Sequence, residues 1–324
     1  MKKTFNFLAL LLGFVLLAAC VPTQAQSPES SDLSGKLIIF HAGSLTVPVE
    51  KLTTAFQEKY PGVSFETQAG GSRSMARKIS ELGLPADLMM SADYTVIDNL
   101  LIPDFATWNV QFARNSMVIA YTSQSLYADE INSDNWYDIL TRDGVIYGHS
   151  DPDADPCGYR TLMVWQLAEK YYEKEGLNAS LGAHCPVKNV RPKAVELLAL
   201  LQSGDMDYAF EYRSVAVQHG LNYVELPEKI NLSMVEYANF YKTATLEISG
   251  SEPGQTVTKS GSPIVYGVTI PTSAPSPELA EAFVSFLLSP EGQTILDSEG
   301  QPPIVPPVTS DVNLLPASLQ SVFK

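Results

Sequence analysis

Apolar and polar positions along this chain follow two alternating rhythms. Short continuous apolar runs, the mark of strands buried on both faces, give way to segments whose apolar residues return every three or four positions. Lys36-Leu-Ile-Ile-Phe40 is such a run, broken by His41-Ala42-Gly43-Ser44 before Leu45, Val49, Leu52 and Phe56 recur at helical spacing. Pro61-Gly62 ends that helix, and Val63 to Thr67 alternates as a second strand. Gly70-Gly71-Ser72 then leads into a helix marked by Met75, Ile79 and Leu82. Further strands are predicted over 87–91, 108–112, 116–121, 145–147, 206–212 and 264–270, and Asp93 reads as a helix cap after the first of these. Helices are predicted from 133–140, 159–167, 195–202, 213–218, 278–288 and 292–296. The stretch 176–186 reads as a loop, 249–254 as a hairpin tip in a turn-rich region, and 301–307 as a Pro-rich extended segment. Strands alternating with helices predict an α/β chain, and 116–121 is a candidate crossing between two lobes.

The chemistry gathers where strands turn into helices. Gly43-Ser44 and Gly71-Ser72 each follow a strand and open a helix. Glycine lets backbone approach a ligand, serine adds a hydroxyl, and a helix start presents unpaired N–H groups and a positive dipole end. A third start is Asp155-Pro156-Cys157, where Asp155 suits an N-cap and Pro156 the first helical position. Open α/β sheets bind ligands at such strand ends, and an anion suits three helix starts. No Gly-x-x-x-x-Gly-Lys-Ser/Thr or Gly-x-Gly-x-x-Gly pattern is present, which disfavours nucleotides.

The N-terminus changes the picture of where this fold works. Met1-Lys2-Lys3 is basic, 5–17 is apolar apart from Asn6, and Leu17-Ala18-Ala19-Cys20 follows. Residues 1–20 therefore predict a secretory signal of the lipoprotein type, with Cys20 as the lipidated first residue of the mature chain. Residues 21–33, rich in Pro, Ser and Gln, predict a flexible tether. The remaining roughly 290 residues suffice for two lobes. There are 21 Lys plus Arg against 36 Asp plus Glu, so the net charge is −15, and −17 once Lys2 and Lys3 are removed. Such a chain, which lacks basic clusters, is not expected to bind nucleic acid. With Cys20 set aside, Cys157 and Cys185 form an even pair in an oxidising compartment and predict a disulfide, two free thiols being the alternative. Such a bond would stabilise by roughly 3 kcal/mol. The four histidines show no zinc-ligand spacing, and no cofactor is expected.

Several segments together carry a family resemblance. They are Phe40-His-Ala-Gly-Ser-Leu45, Ala86-Asp-Leu, Ala92-Asp-Tyr94, Asn135-Trp-Tyr137, Asp155-Pro-Cys-Gly-Tyr-Arg160 and Tyr212-Arg-Ser-Val-Ala-Val-Gln-His-Gly220. The chain resembles the tungstate/molybdate-binding WtpA-type (archaeal ModA-like) branch of ABC-importer extracellular solute-binding proteins, over essentially the whole mature domain. The resemblance implies a two-lobed, type II periplasmic-binding-protein-like fold with a ligand cleft between the lobes. Lobe 1 would hold 34–116 plus 272–324, and lobe 2 would hold 117–271. It implies oxyanion contacts at Gly43, Ser44, Ser72, Asp155, Pro156, Cys157 and Tyr212, with Asp155 as a direct ligand of tungsten or molybdenum. It further implies no enzymatic activity, a monomer delivering tungstate or molybdate to a permease and its ATPase, and a place at the outer face of the membrane.

One position departs from the branch. A second carboxylate is expected directly after Arg-Pro-Lys, but Arg191-Pro192-Lys193 is followed by Ala194. Glu196 lies two residues along a helix and points nearly the opposite way. The site is then either four-coordinate or completed by another group such as Glu211. Other readings are a sulfate or ferric-iron carrier, although Tyr212 and Tyr266 form no obvious iron-binding pair in the sequence. The reading from a different class is a secreted hydrolase using Ser44 or Ser72 with His41 or His219, and neither serine lies in Gly-x-Ser-x-Gly.

Overall fold

In the computed structural model, residues 33–250 and 254–323 are described. The expected signal, Cys20, nearly all of the tether and positions 251–253 of the expected hairpin tip lie outside them. The first half begins β1 (Ser34–Ala42), α1 (Thr46–Lys59), β2 (Gly62–Gly70), α2 (Ser72–Ser80), β3 (Leu88–Ser91), α3 (Tyr94–Leu100) and β4 (Val110–Arg114). Next come β5 (Met117–Tyr121), α4 (Trp136–Leu140), β6 (Tyr147–Ser150), α5 (Pro156–Tyr171), α6 (Leu177–His184), β7 (Val190–Arg191) and α7 (Glu196–Ser203). They are followed by β8 (Tyr208–Tyr212), α8 (Arg213–Gln218), β9 (Asn222–Glu225), α9 (Ala238–Tyr241), β10 (Thr245–Ser249) and β11 (Thr256–Ser260). The chain closes with β12 (Val265–Thr269), α10 (Pro277–Leu287), α11 (Pro290–Ser298), β13 (Pro303–Thr309) and α12 (Ala317–Gln320).

These strands build two sheets, the arrangement of a two-lobed α/β fold. One has the order β13-β4-β12-β3-β1-β2, the other β7-β6-β8-β5-β9, and β10-β11 is a separate hairpin. β1 is parallel to β2 and β3, and β6 is parallel to β8, so their helices cover the faces and their carboxyl ends share a side. The chain leaves the first sheet after β4, enters the second at β5, and returns at β12. Crossing segments bond one another there: Met117 N donates to Asn231 O at 2.9 Å, and Ile264 N to Leu232 O at 2.8 Å. β12, inside the 117–271 range assigned to the second lobe, pairs with β3 and β4 of the first sheet.

Three segments differ from the sequence reading. The 176–186 loop contains α6, whose two buried apolar residues, Leu177 and Leu181, pack one turn apart. So sparse a stripe gives no periodic signal. The strand β9, four residues long, is too short to show an alternation. The Pro-rich segment is β13, at the edge of its sheet, where prolines do not break an inner ladder.

Candidate functional site

Each helix start expected to hold ligand lies at the carboxyl end of a strand. After β1, Gly43–Leu45 forms a 3-10 turn before α1. After β2, Gly71 is the N-cap of α2 and Ser72 its first residue. After β6, Asp155 caps α5, accepting from Cys157 N at 3.1 Å, with Pro156 at the first helical position. Both glycines face the second sheet's segments closely, Gly71 at a distance that only glycine permits and Gly43 at one that a side chain would crowd. A Cβ on Gly71 would lie 2.3 Å from Ala154 O, and one on Gly43 would lie 3.2 Å from a Val195 methyl. The structure thus brings Gly43 and Gly71 from one lobe against Ala154, Asp155 and Val195 from the other.

Two buried carboxylates lie within electrostatic reach of each other in the second lobe. Asp155 is 5 % exposed, and its second oxygen accepts from Ala194 N at 2.9 Å. Ala194 therefore supplies a backbone N–H where the branch pattern expects a carboxylate. Glu196 is turned outward, half-exposed beside Lys193. Glu211, on β8, is fully buried, and neither of its oxygens has a hydrogen-bond partner among the described residues. Burial pushes Asp155 up to about 6, against the lowering pull of the Ala194 and Cys157 N–H groups. Burial first, then the Asp155 charge, push Glu211 well above the usual carboxylate range, against a smaller lowering pull from the Tyr212 N–H, which stands outside bonding geometry. The pair repel and are both desolvated, so the unliganded site favours holding at least one proton.

Around them runs a polar chain linking the other expected contacts. Ser44 Oγ bonds Tyr266 Oη at 2.8 Å, and Asn115 Nδ2 donates to the same phenol at 2.9 Å. Ser72 Oγ accepts from Ala92 N at 3.0 Å. Arg160 Nη1 donates both to Ala92 O at 2.7 Å and to Tyr212 Oη at 2.6 Å. Asp93, expected as a cap, accepts from Thr95 N at 3.0 Å, and also meets Tyr159 Oη at 2.5 Å and Lys259 Nζ at 2.6 Å. Burial would raise the Asp93 carboxyl, but Lys259 and Arg160 outweigh it and hold it well below its usual range. Arg160, Asp93, Lys259 and Glu211 are the residues that sequence reasoning left without a role or raised only in passing. Glu211 did carry a signal, as a lone charge within the apolar run Tyr208-Ala-Phe-Glu-Tyr212.

Some expectations are corrected. Cys157 and Cys185 are free, buried thiols, not a disulfide. They turn to different carbonyls, Cys157 Sγ to Phe210 O at 3.6 Å and Cys185 Sγ to Tyr147 O at 3.5 Å. The Cys157 N–H is engaged by the Asp155 cap. Tyr212 and Tyr266 do neighbour each other, with ring centroids 6.2 Å apart. Burial raises both phenols, Tyr266 to about 12, and their oxygens already meet Arg160, Ser44 and Asn115, which does not suit phenolate ligands for iron. No hydrogen bond joins a histidine to Ser44 or Ser72 among the described residues; His41 Nδ1 turns to Ala42 O at 2.9 Å.

Comparison with known proteins points the same way. Residues 37–301 match the family described as bacterial extracellular solute-binding protein. An uncharacterized solute-binding protein of Petrotoga mobilis is 49 % identical over 100 % of this chain and 97 % of its own. The molybdate/tungstate-binding protein WtpA of Pyrococcus abyssi is 42 % identical over 86 % of this chain and 88 % of its own, and that of Thermococcus kodakarensis 40 % over 93 % and 91 %. Among solved structures, the periplasmic molybdate-binding protein of Azotobacter vinelandii superposes with a TM-score of 0.60 at 19 % identity, covering 82 % of this chain and 98 % of that one. At that identity the likeness speaks for the fold.

Proposed function

Since this chain belongs to the bacterial extracellular solute-binding protein family, whose members serve ABC importers rather than catalyse reactions, we propose that its solute is tungstate or molybdate, held between the lobes. Its relatives named for molybdate and tungstate support this reading. The observation that carries it within this chain is Glu211, buried, with neither oxygen in a hydrogen bond at bonding geometry among the described residues, and within electrostatic reach of Asp155. For sulfate, whose sulfur accepts no fifth or sixth oxygen, two carboxylates would only repel. Tungsten and molybdenum expand beyond four oxygens, and carboxylate oxygens fit that demand. In this reading Glu211 takes the place that Ala194 cannot fill. Gly43, Ser44, Ser72 and Tyr212 line the rest through backbone and hydroxyl donors, while Pro156, which has no N–H, and Cys157, whose N–H is held by Asp155, shape the wall.

Binding proceeds as a hinged closure, with the crossing segments near 115 and 264 as the hinge. The anion enters, the carboxyls release their proton to solvent, and the lobes exclude water from it. A permease with its ATPase receives the solute, and lipid on Cys20, joined through the 21–33 tether, keeps the protein at the outer membrane face. The test is calorimetric titration of the purified protein with tungstate, molybdate and sulfate. Sub-micromolar binding of the first two with sulfate weak or silent is expected; no heat with either metal oxyanion rules the reading out. Release of the protein from membranes by Cys20→Ser tests the anchor.

A further inference from the structure

The proposed ligand shell contains no cation, although it would receive a dianion beside two carboxyl groups in a chain of net charge −15. The missing positive charge stands one residue behind it. Arg160 is 2 % exposed, on α5 one turn from the Asp155 cap. Its nearest carboxylate, Asp93, already holds Lys259 Nζ at 2.6 Å, whereas Arg160 Nη2 stands 3.7 Å from it. One carboxylate thus faces two cations, and the other carboxylate that feels Arg160 is Asp155, itself part of the proposed ligand shell. Arg160 Nη2 has no hydrogen-bond partner among the described residues.

The hydrogen-bond direction adds a second consequence. Tyr212 Oη accepts from the guanidinium at 2.6 Å, and its own proton has no acceptor among the described residues. A phenol polarised by a cation on its oxygen is a stronger donor through its proton. The same Nη1 also donates to Ala92 O, and Ala92 N donates to Ser72 Oγ. One guanidinium therefore spans both lobes and sets two expected ligand contacts, Ser72 and Tyr212.

Resting on the oxyanion reading above, we infer that Arg160 is the positioning residue that offsets the charge of the bound dianion and turns Tyr212 into a hydrogen-bond donor to it. It does not touch the solute. A lysine in its place keeps the charge and loses the two-way fork; a methionine keeps the length and loses both.

The experiment is titration of wild type, Arg160→Lys, Arg160→Met, Tyr212→Phe and the Arg160→Met/Tyr212→Phe double variant with sodium tungstate, each checked by circular dichroism for folding. Arg160→Met is expected to weaken binding roughly 10- to 150-fold, the loss of a charge-assisted interaction. Arg160→Lys is expected to recover most of that, because charge rather than shape is what the dianion needs. The double variant is expected to lose less than the product of the two single losses, since the arginine acts partly through the phenol. Equal weakening by lysine and methionine would reduce Arg160 to a structural bond and overturn the inference, as would wild-type affinity in Arg160→Met. Should Arg160→Met fail to fold, Arg160→Lys decides: affinity below that of Tyr212→Phe counts against a charge role. A wild type that binds no tungstate fails the parent reading and this inference with it, whereas failure confined to the variants leaves the parent reading standing.

Discussion

Adding one methyl group at Gly71 tests whether the two lobes close on the site as the structure has them. Gly71 has φ −62° and ψ 134°, a conformation open to any L-residue, so alanine strains nothing within its own lobe. Across the cleft its Cβ would stand 2.3 Å from Ala154 O, 2.8 Å from the Ala154 carbonyl carbon and 3.1 Å from Asp155 Cβ. Those atoms cannot swing away as a side chain would. The turn is tied by Ala154 N to Asp151 O at 3.1 Å and Asp155 N to Asp151 O at 2.8 Å, and Ser74 N reaches back to Ala154 O at 3.3 Å. Relief requires moving the start of α2 away from Ala154 by about 1 Å, and overpacking of this kind costs about 1–3 kcal/mol. The cost falls on the closed form alone, so Gly71→Ala is expected to raise the tungstate Kd by roughly 5- to 150-fold. Calorimetric titration measures it, with thermal unfolding of the unliganded variant as the folding control. Gly43→Ala is the internal comparison, because its Cβ meets only Val195 methyls, at 3.2 and 3.3 Å. It should weaken binding less. A Gly71→Ala protein that binds tungstate within twofold of wild type would refute the closure geometry.

Three further outcomes follow from buried groups. Glu211→Met should melt higher than wild type without ligand, because it removes a buried carboxyl with no hydrogen-bond partner, a cost of about 1–3 kcal/mol. The same variant should lose tungstate binding; a lower melting point would show that the carboxyl is needed for folding. Burial holds the His41 ring down to about 4, so it stays neutral in the fold while the unfolded ring titrates near 6.5. Between those values the unfolded state binds more protons, so stability falls as pH falls from about 6.5 to 4, by about 3 kcal/mol in full. Chemical denaturation across that range should show a steeper loss for wild type than for His41→Asn, and parallel curves would contradict it. Finally, thiol titration in denaturant without reductant should find Cys157 and Cys185 both reactive, whereas silence from both would restore the disulfide.

The local rhythm of this sequence was enough for most of its strands and helices, though not for α6 or β9. Continuous apolar runs such as 36–40 and spaced stripes such as Leu45, Val49, Leu52 and Phe56 became β1 and α1, because burial on two faces or on one stripe is a property of neighbouring residues. The helix starts were legible for the same reason. Gly71, and Asp155 with Pro156, announce where a backbone turns into a helix, whatever lies across the cleft. The family resemblance, not the sequence alone, marked Ala194 as a position without its expected carboxylate. What the sequence left open was where the buried charges go. Glu211 lies 56 positions beyond Asp155 in number, and Lys259 lies 166 beyond its partner Asp93. Even the cysteine pair, even in number, turns to separate carbonyls. Elements form from contacts within a few residues. Desolvation, charge pairing and the fit of Gly71 against Ala154 arise only when two sheets and their connections close on one another, and those determine what the cleft can hold.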